Sequence, residues 1–358
     1  MQPQPVPAAP LGQVGAVRVG GGDVGSPPSL RVQTAALAAL EAAVWGAGIQ
    51  RVAVIGASKN AGKTTVLNAL VAIASRRGER IGLVSVGRDG EDSDAWSGEP
   101  KPGVHVEKGT LVVTAAGRAL AAGSLLRVLG EAGFRSALGP AVVCEARAPG
   151  VVELCGVPHR AAMVLAVAAL QAAGAVRVAI DGAYHRQAAA HPAVADATVL
   201  ALGAILAPEP LDAVHSALPT LRALACGAGN DALAWHDLDG ACTDQVLESR
   251  AARGERRLRV DTPGHILLHD AGWRRAAALG VAIAVRRAVP LVALATSPFR
   301  APEPAADAAA MHAAGLAAAR ALGWSGPCLD LVAGLVAPAE PGAGPGSPGE
   351  RPCVAGDP

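Results

Sequence analysis

The chain has 358 residues, 51% of them hydrophobic and 17% charged, with a formal net charge of +1. That length can bury the core of one large domain or two, and the near-neutral balance gives no reason to expect nucleic acid or an anionic membrane as partner. Aromatic residues make up only 2%, too few to build stacking platforms for single strands.

Residues 1–28 are rich in Pro and Gly and are expected to be disordered. They lack the basic-then-apolar order of a signal peptide, so a cytoplasmic setting is expected. A strand is predicted over 52–55 and an amphipathic helix over 66–77. A second strand follows over 81–86, then short strands over 104–106 and 111–114 around Gly109. Segments 141–146 and 151–155 read as a hairpin about Pro149-Gly150. A helix is predicted over 159–173, a core strand over 176–180 ending at Asp181-Gly182, and a further strand over 197–201. Residues 211–225 read as a helix, and the polar stretch 227–262 as an irregular insertion. A strand over 291–295, a helix over 307–322 and a last strand over 329–332 close the domain, which runs from 29 to 337. Residues 338–358 repeat the Pro/Gly composition and are expected to form a disordered tail.

This β-α alternation predicts an α/β fold of the P-loop NTPase type, a mostly parallel sheet with helices on both faces. Its ligand site is expected at the carboxyl ends of the strands. The apolar stretches 161–176 and 276–296 are broken by Gln171, Arg286, Arg287 and Pro290, so they read as buried elements and not as membrane spans. Six cysteines are scattered with no C-x2-C pair, which gives no zinc pattern and suggests small buried hydrophobes.

Between the first strand and its helix, residues 56–65 read Gly-Ala-Ser-Lys-Asn-Ala-Gly-Lys-Thr-Thr. The core of this string is Ala57-x4-Gly62-Lys63-Thr64, with alanine where a phosphate-binding loop usually has glycine. Such a loop turns successive backbone N–H groups inward into an anion nest, and the next helix adds its unpaired amides and positive dipole end. Gly62 lets the backbone approach phosphate without a Cβ. Lys63 is placed to reach β- and γ-phosphates, Thr64 to hold Mg²⁺ and Thr65 to meet the α-phosphate. Ser58, Lys59, Asn60 and Ala61 complete the candidate cradle. Lys59 stands four residues before Lys63, where touching phosphate and pointing to solvent are equally open. The chain has only four lysines, at 59, 63, 101 and 108, against abundant arginine. A compact ammonium suits a tight phosphate nest better than a planar fork does, and Lys101 and Lys108 are weaker candidates on the same ground. The implied ligands are ATP, or GTP, with Mg²⁺. No Asn-Lys-x-Asp string for guanine is found, which leans toward ATP.

A nucleotide's magnesium calls for carboxylates. Asp181 closes the run Val-Arg-Val-Ala-Ile-Asp-Gly, apolar and then acidic in the manner of a Walker B strand. Asp89, in Gly87-Arg88-Asp89-Gly90-Glu91-Asp92 after the second strand, is a candidate to orient the attacking water or bind metal. Arg88 reads as a surface residue first. His185 and His191 are six apart, a spacing that suits neither a helical pair nor a zinc motif. The Glu145 and Glu153 pair reads as a solvated face of the hairpin and not an acid/base dyad.

The loop string 56–65 is joined by Ser85-Val86-Gly87-Arg88-Asp89-Gly90-Glu91, Lys101-Pro102, Lys108-Gly109-Thr110, Val152-Glu153-Leu154 and Asp181-Gly182-Ala183-Tyr184-His185-Arg186. Together they resemble the P-loop subunit of the lysine 5,6-aminomutase reactivase, an accessory of adenosylcobalamin-dependent lysine and ornithine aminomutases. The resemblance covers roughly residues 50–205 and is loose beyond them. It implies a nucleoside triphosphatase, with Lys63, Thr64, Asp89 and Asp181 in the matching positions. Its hydrolysis would restore a mutase that has lost intact cobalamin. The implied partners are the aminomutase and a second reactivase subunit, and a homodimer is left open. The insertion 227–262 and the tails have no counterpart in that family. Two other readings share the loop: a GTP-binding accessory of molybdopterin-cofactor assembly, and an ATP-dependent carboxylate ligase like dethiobiotin synthetase. The ligase would need further lysines near the γ-phosphate, a role open to Lys101 and Lys108.

Overall fold

A computed structural model describes residues 29–46, 48–86, 104–183, 191–300, 304–340 and 353–354. The predicted disorder of 1–28 and the candidates Asp89, Arg88, Lys101 and His185 lie outside these residues.

The chain enters through helix α1 (Ser29–Val44) and then forms β1 (Arg51–Gly56), α2 (Lys63–Arg77) and β2 (Ile81–Val86). Next come β3 (Val104–Val106), β4 (Leu111–Ala115), α3 (Ala116–Ala121), β5 (Leu126–Ser136), β6 (Gly139–Ala146), β7 (Gly150–Val152) and β8 (Gly156–Val157). Helix α4 (Arg160–Ala172) leads to β9 (Arg177–Ala183), β10 (Ala197–Gly203) and α5 (Pro210–Ala225). A smaller lobe follows, with β11 (His236–Asp237), β12 (Cys242–Thr243), α6 (Asp244–Ala252), β13 (Arg257–Val260), β14 (Ile266–Leu267), α7 (Asp270–Ala278) and β15 (Ala282–Val285). The chain then completes β16 (Leu291–Ser297), α8 (Ala308–Ala321), β17 (Cys328–Asp330), β18 (Leu335–Ala337) and β19 (Cys353–Val354).

The fold is α/β. Its main sheet has 11 strands in the order β18-β17-β16-β10-β1-β9-β2-β4-β6-β5, with β8 also pairing β2. The seven strands from β17 to β4 run parallel to their neighbours, and antiparallel strands occur at both ends. Strand β1 sits in the middle and is covered on both faces. Ala53 and Ile55 join the core under α4 and α5, whereas Val52 and Val54 join the core under α1 and α2. Burial on both sides explains why β1 is a continuous apolar run with no alternation. The connection from β1 through α2 goes to β2 on one side of it. The later strands β10, β16 and β17 are laid on the other side. The chain therefore reverses its direction of winding at β1, and the crevice at its carboxyl end is where an open α/β sheet binds ligands.

Several expectations need correction. Segments 141–146 and 151–155 do not form a hairpin. Strand β6 pairs with β4 and β5, and β7 pairs with β3. Pairing with the long β5, whose exposed and glycine-containing sequence carries no alternating signal, decides the matter. Residues 227–262 are not irregular. They hold α6, β12 and two strands, β11 and β13, of a small parallel sheet completed by β15, against which β19 pairs. The tail is not wholly separate from the fold either, since Val354 and Cys353 lie opposite Ala282 and Ile283. Strand β17 is followed by one more, β18, which turns back antiparallel to it.

Candidate functional site

The loop between β1 and α2 lies at the carboxyl end of β1 and is anchored from several directions. Its Ala57 amide donates to the Ala201 carbonyl of β10 at 3.1 Å. Asn60, with φ 56°, is the one non-glycine residue of positive φ among the described residues, and Gly62 follows at φ 99°. Two left-handed residues bend the strand end back over itself, so that amides turn toward one concavity. Gly62 stands at the N-cap of α2, where glycine has no side chain to cap the helix start.

Close packing fixes the loop. A Cβ on Gly56 would meet Lys63 Nζ at 2.8 Å and the Ser58 carbonyl oxygen at 2.9 Å. A Cβ on Gly203, at the end of β10, would stand 2.6 Å from Ala61 Cα. One on Gly62 would meet Ser297 Cβ at 3.0 Å. Lys63 folds its stem over Gly56 and donates from Nζ to the Ser58 carbonyl at 3.1 Å, so its ammonium is held above the loop. Thr64 and Thr65 occupy the first turn of α2, half-buried. Thr65 lines a crevice with Gly62, Thr296 and Ser297. Lys59 is exposed at the outer bend, where the Ser58 hydroxyl donates to its carbonyl.

Asp181 is the fifth residue of β9, beside β1. It lies opposite Val54 on one side and Ser85 on the other. Register partners in a parallel pair share a face, and Val54 belongs to the core beneath α2. Asp181 therefore presents its side chain on the face of the sheet covered by α2, the helix whose second residue is Thr64. Ser85 Oγ donates to Asp181 Oδ2 at 3.1 Å and orients the carboxylate. The structure thus gathers Ser58, Lys59, Asn60, Ala61, Gly62, Lys63, Thr64 and Thr65 into one turn, with Asp181 on the adjoining strand. Ser85, Gly203 and Ser297 were not singled out from sequence. Ser85 sits within the string 85–91 that carries the family resemblance, but the packing roles of Gly203 and Ser297 depend on strands distant in the chain.

Other candidates are placed elsewhere. Lys108 is exposed in the turn before β4, and β4 begins opposite Gly82 at the amino end of β2. It therefore lies at the edge of the sheet away from the loop. Glu145 is held by Arg80 at 2.7 Å and also by Arg127, whereas Glu153 pairs with Arg118 at 3.0 Å. The two carboxylates serve separate ion pairs. His191 is 4% exposed. Among the described residues no cluster of three or more His, Cys, Asp or Glu side chains forms. A magnesium ion at the loop would be held by few protein ligands, as that ion is when phosphates and water complete its shell. Hard oxygen donors for it are present in the Thr64 hydroxyl and the Asp181 carboxylate. Also among the described residues, no helix is long and apolar enough to cross a membrane.

Comparison with family models, with curated proteins and with solved structures gives no match for this chain.

Proposed function

We propose that the protein is a magnesium-dependent P-loop nucleoside triphosphatase, cytoplasmic and using ATP, which serves as an accessory that reactivates a cobalamin-dependent aminomutase. One observation carries the nucleotide reading: the 57–64 loop has two left-handed residues, an uncapped helix start and the Lys63 ammonium folded over it, at the point where the sheet reverses its winding. The accessory role rests on the sequence resemblance alone.

In this reading the loop amides bind the β-phosphate and Lys63 spans the β- and γ-phosphates. Thr64 and Asp181 hold magnesium, with Ser85 fixing the Asp181 carboxylate. Magnesium held there would supply charge neutralisation for phosphoryl transfer. Asp89 is assigned to orienting the attacking water. The ligase reading loses support from the position of Lys108 at the far edge of the sheet.

Lys63→Ala is expected to lower ATP turnover by at least about 100-fold, the usual effect of removing one donor to developing charge. Wild-type turnover in this variant would refute the assignment. Asp181→Asn should raise the magnesium concentration needed for half-maximal hydrolysis, and an unchanged titration would remove Asp181 from the site. Hydrolysis measured with and without an aminomutase separates the accessory role from the rest. Stimulation by the mutase supports it, whereas ADP formed only with a small carboxylate points to a ligase.

A further inference from the structure

A second polar cluster lies outside the loop, where the small lobe meets the segment joining β9 to β10. Strands β13 and β15 are parallel neighbours, and their ladder continues past Val260 and Val285. The Arg286 amide donates to the Val260 carbonyl at 2.8 Å and the Arg287 amide to the Asp261 carbonyl at 2.9 Å. The carboxyl ends of the two strands thus deliver Asp261, Thr262, His265 and Arg287 to one place. The Arg287 guanidinium is held by Asp261, with Nε donating to Oδ1 at 2.9 Å and Nη2 closing the second bond to Oδ2. Thr262, fully buried, places Oγ1 2.9 Å from His265 Nδ1.

His191 reaches this place from the other lobe, and its bonding does not close. The Ala193 amide donates to its Nδ1 at 3.1 Å, so the neutral ring carries its proton on Nε2. Nε2 lies 3.5 Å from Arg287 Nη2. A guanidinium is always protonated, so two N–H donors face each other, with no acceptor between them among the described residues. Burial lowers the His191 pKa first, and the charges of Arg160 and Arg287 lower it further against the opposing pull of Asp261, with His265 adding to the positive side. Charging the ring therefore does not resolve the mismatch. One oxygen with two lone pairs does: nitrogens 3.5 Å apart can each reach it at an ordinary distance of about 2.9 Å. The side chains of Arg287 and Asp261 are 48% and 30% exposed, so a ligand can approach from their side toward the buried His191.

We propose that His191 Nε2–H and the Asp261-anchored Arg287 form a binding site for a small oxyanion, a carboxylate or a phosphate, at the carboxyl ends of β13 and β15. It is independent of the nucleotide reading and belongs to a different sheet. The carboxyl ends of parallel strands are the general place for such a ligand, and a fixed guanidinium beside an N–H is the general chemistry.

The test uses the full chain carrying Lys63→Ala, so that phosphate at the 57–64 loop does not register. Inorganic phosphate and acetate are the probes, and the His191 ring nitrogens are read by NMR. The expected result is a saturable movement of the Nε2 signal and a higher titration midpoint for His191 at saturation, because a nearby anion favours the charged ring. His191→Asn keeps an acceptor for the Ala193 amide but removes Nε2–H, and its calorimetric affinity should fall by at least about tenfold. Arg287→Gln, made in the chain with Lys63 intact, should lose the His191 response. A response to phosphate alone assigns a phosphorylated ligand, to acetate alone a carboxylate, and to both any small oxyanion. His191 signals that stay unmoved at anion concentrations on the order of 50 mM, or equal affinity in His191→Asn, would overturn the site.

Discussion

Gly203 shows how a single hydrogen in place of a methyl can hold the 57–64 loop in shape. It ends β10, a strand away from the loop in space and about 140 positions from it in sequence, counted from Ala61. A Cβ there would press on Ala61 Cα at 2.6 Å and on its carbonyl carbon at 3.2 Å. Both are backbone atoms, so no rotamer change relieves the contact. Gly203→Ala should push Ala61 and Gly62 outward, spoil the convergence of amides and weaken ATP binding by at least about tenfold. The stability cost of such overpacking is about 1–3 kcal/mol. Gly46→Ala is the control, because nothing lies within 4 Å of a Cβ there. Calorimetry with Mg-ATP separates the two. Equal affinity in Gly203→Ala and Gly46→Ala would show that the packing of β10 on the loop is without consequence. The position of the loop between β1 and α2, and the need for glycine at 62, were legible because strand, turn and helix carry local sequence signals. Gly203 was not legible, since its constraint comes from a partner that only folding supplies.

At the scale of elements, β1 and β10 are tied at their amino ends by Asp196. Its carboxylate accepts from the Gln50 amide at 3.0 Å, the Arg51 amide at 2.8 Å and Arg51 Nε at 3.1 Å. Burial alone would raise the Asp196 pKa, but the bonds from Arg51 and the two amides outweigh it and the net shift is downward. A carboxylate whose folded pKa is depressed contributes stability that is complete above its unfolded pKa of about 3.9 and disappears as pH falls through the lower folded value. Asp196→Asn should therefore cost about 1–3 kcal/mol at neutral pH and progressively less below about pH 4. Denaturant unfolding at both pH values reads this directly, and an equal loss at both would show that the charge of Asp196 is not what matters. The same scale explains which elements the sequence revealed. Strands β1, β2, β9, β10 and β16 are apolar through most of their length because helices cover both faces, and that was readable. Strand β5 is exposed over most of its residues. The strands β11, β12 and β14 are two residues long, shorter than one alternation. Helix α6 buries only Leu247 and Ala251. None of these carries a period. Helix α1 does, with Ala36, Leu40, Ala43 and Val44 buried at helical spacing, yet it falls outside the elements predicted above.

Over the whole molecule, the small lobe shares its interior with the main sheet. One continuous core runs from Ile180 and Leu200 beneath the main sheet, through Leu221 and Leu224 of α5, to Leu258, Trp273 and Ile283 of the small lobe. The stretch 227–262 reads as an irregular insertion because its sequence is polar, but its few apolar residues are spent on this shared core. A lobe without its own core should not unfold alone. Cysteines are placed to report this. Cys144 and Cys328 lie in main-sheet strands and Cys242 in the small lobe, all buried. Burial pushes these thiols up, Cys144 to about 11 and Cys242 and Cys328 to about 12. Only the thiolate reacts, so alkylation of the native protein near neutral pH should be negligible at all three positions. Labelling then requires opening. In a denaturant series, with Cys353 replaced by Ser to keep it silent, Cys242 should become reactive at the same midpoint as Cys144 and Cys328. Trp273, buried in α7 of the small lobe, should change its fluorescence over that same range. If Cys242 is labelled at lower denaturant while Cys144 stays protected, the small lobe opens on its own and the core is shared in contact but not in stability.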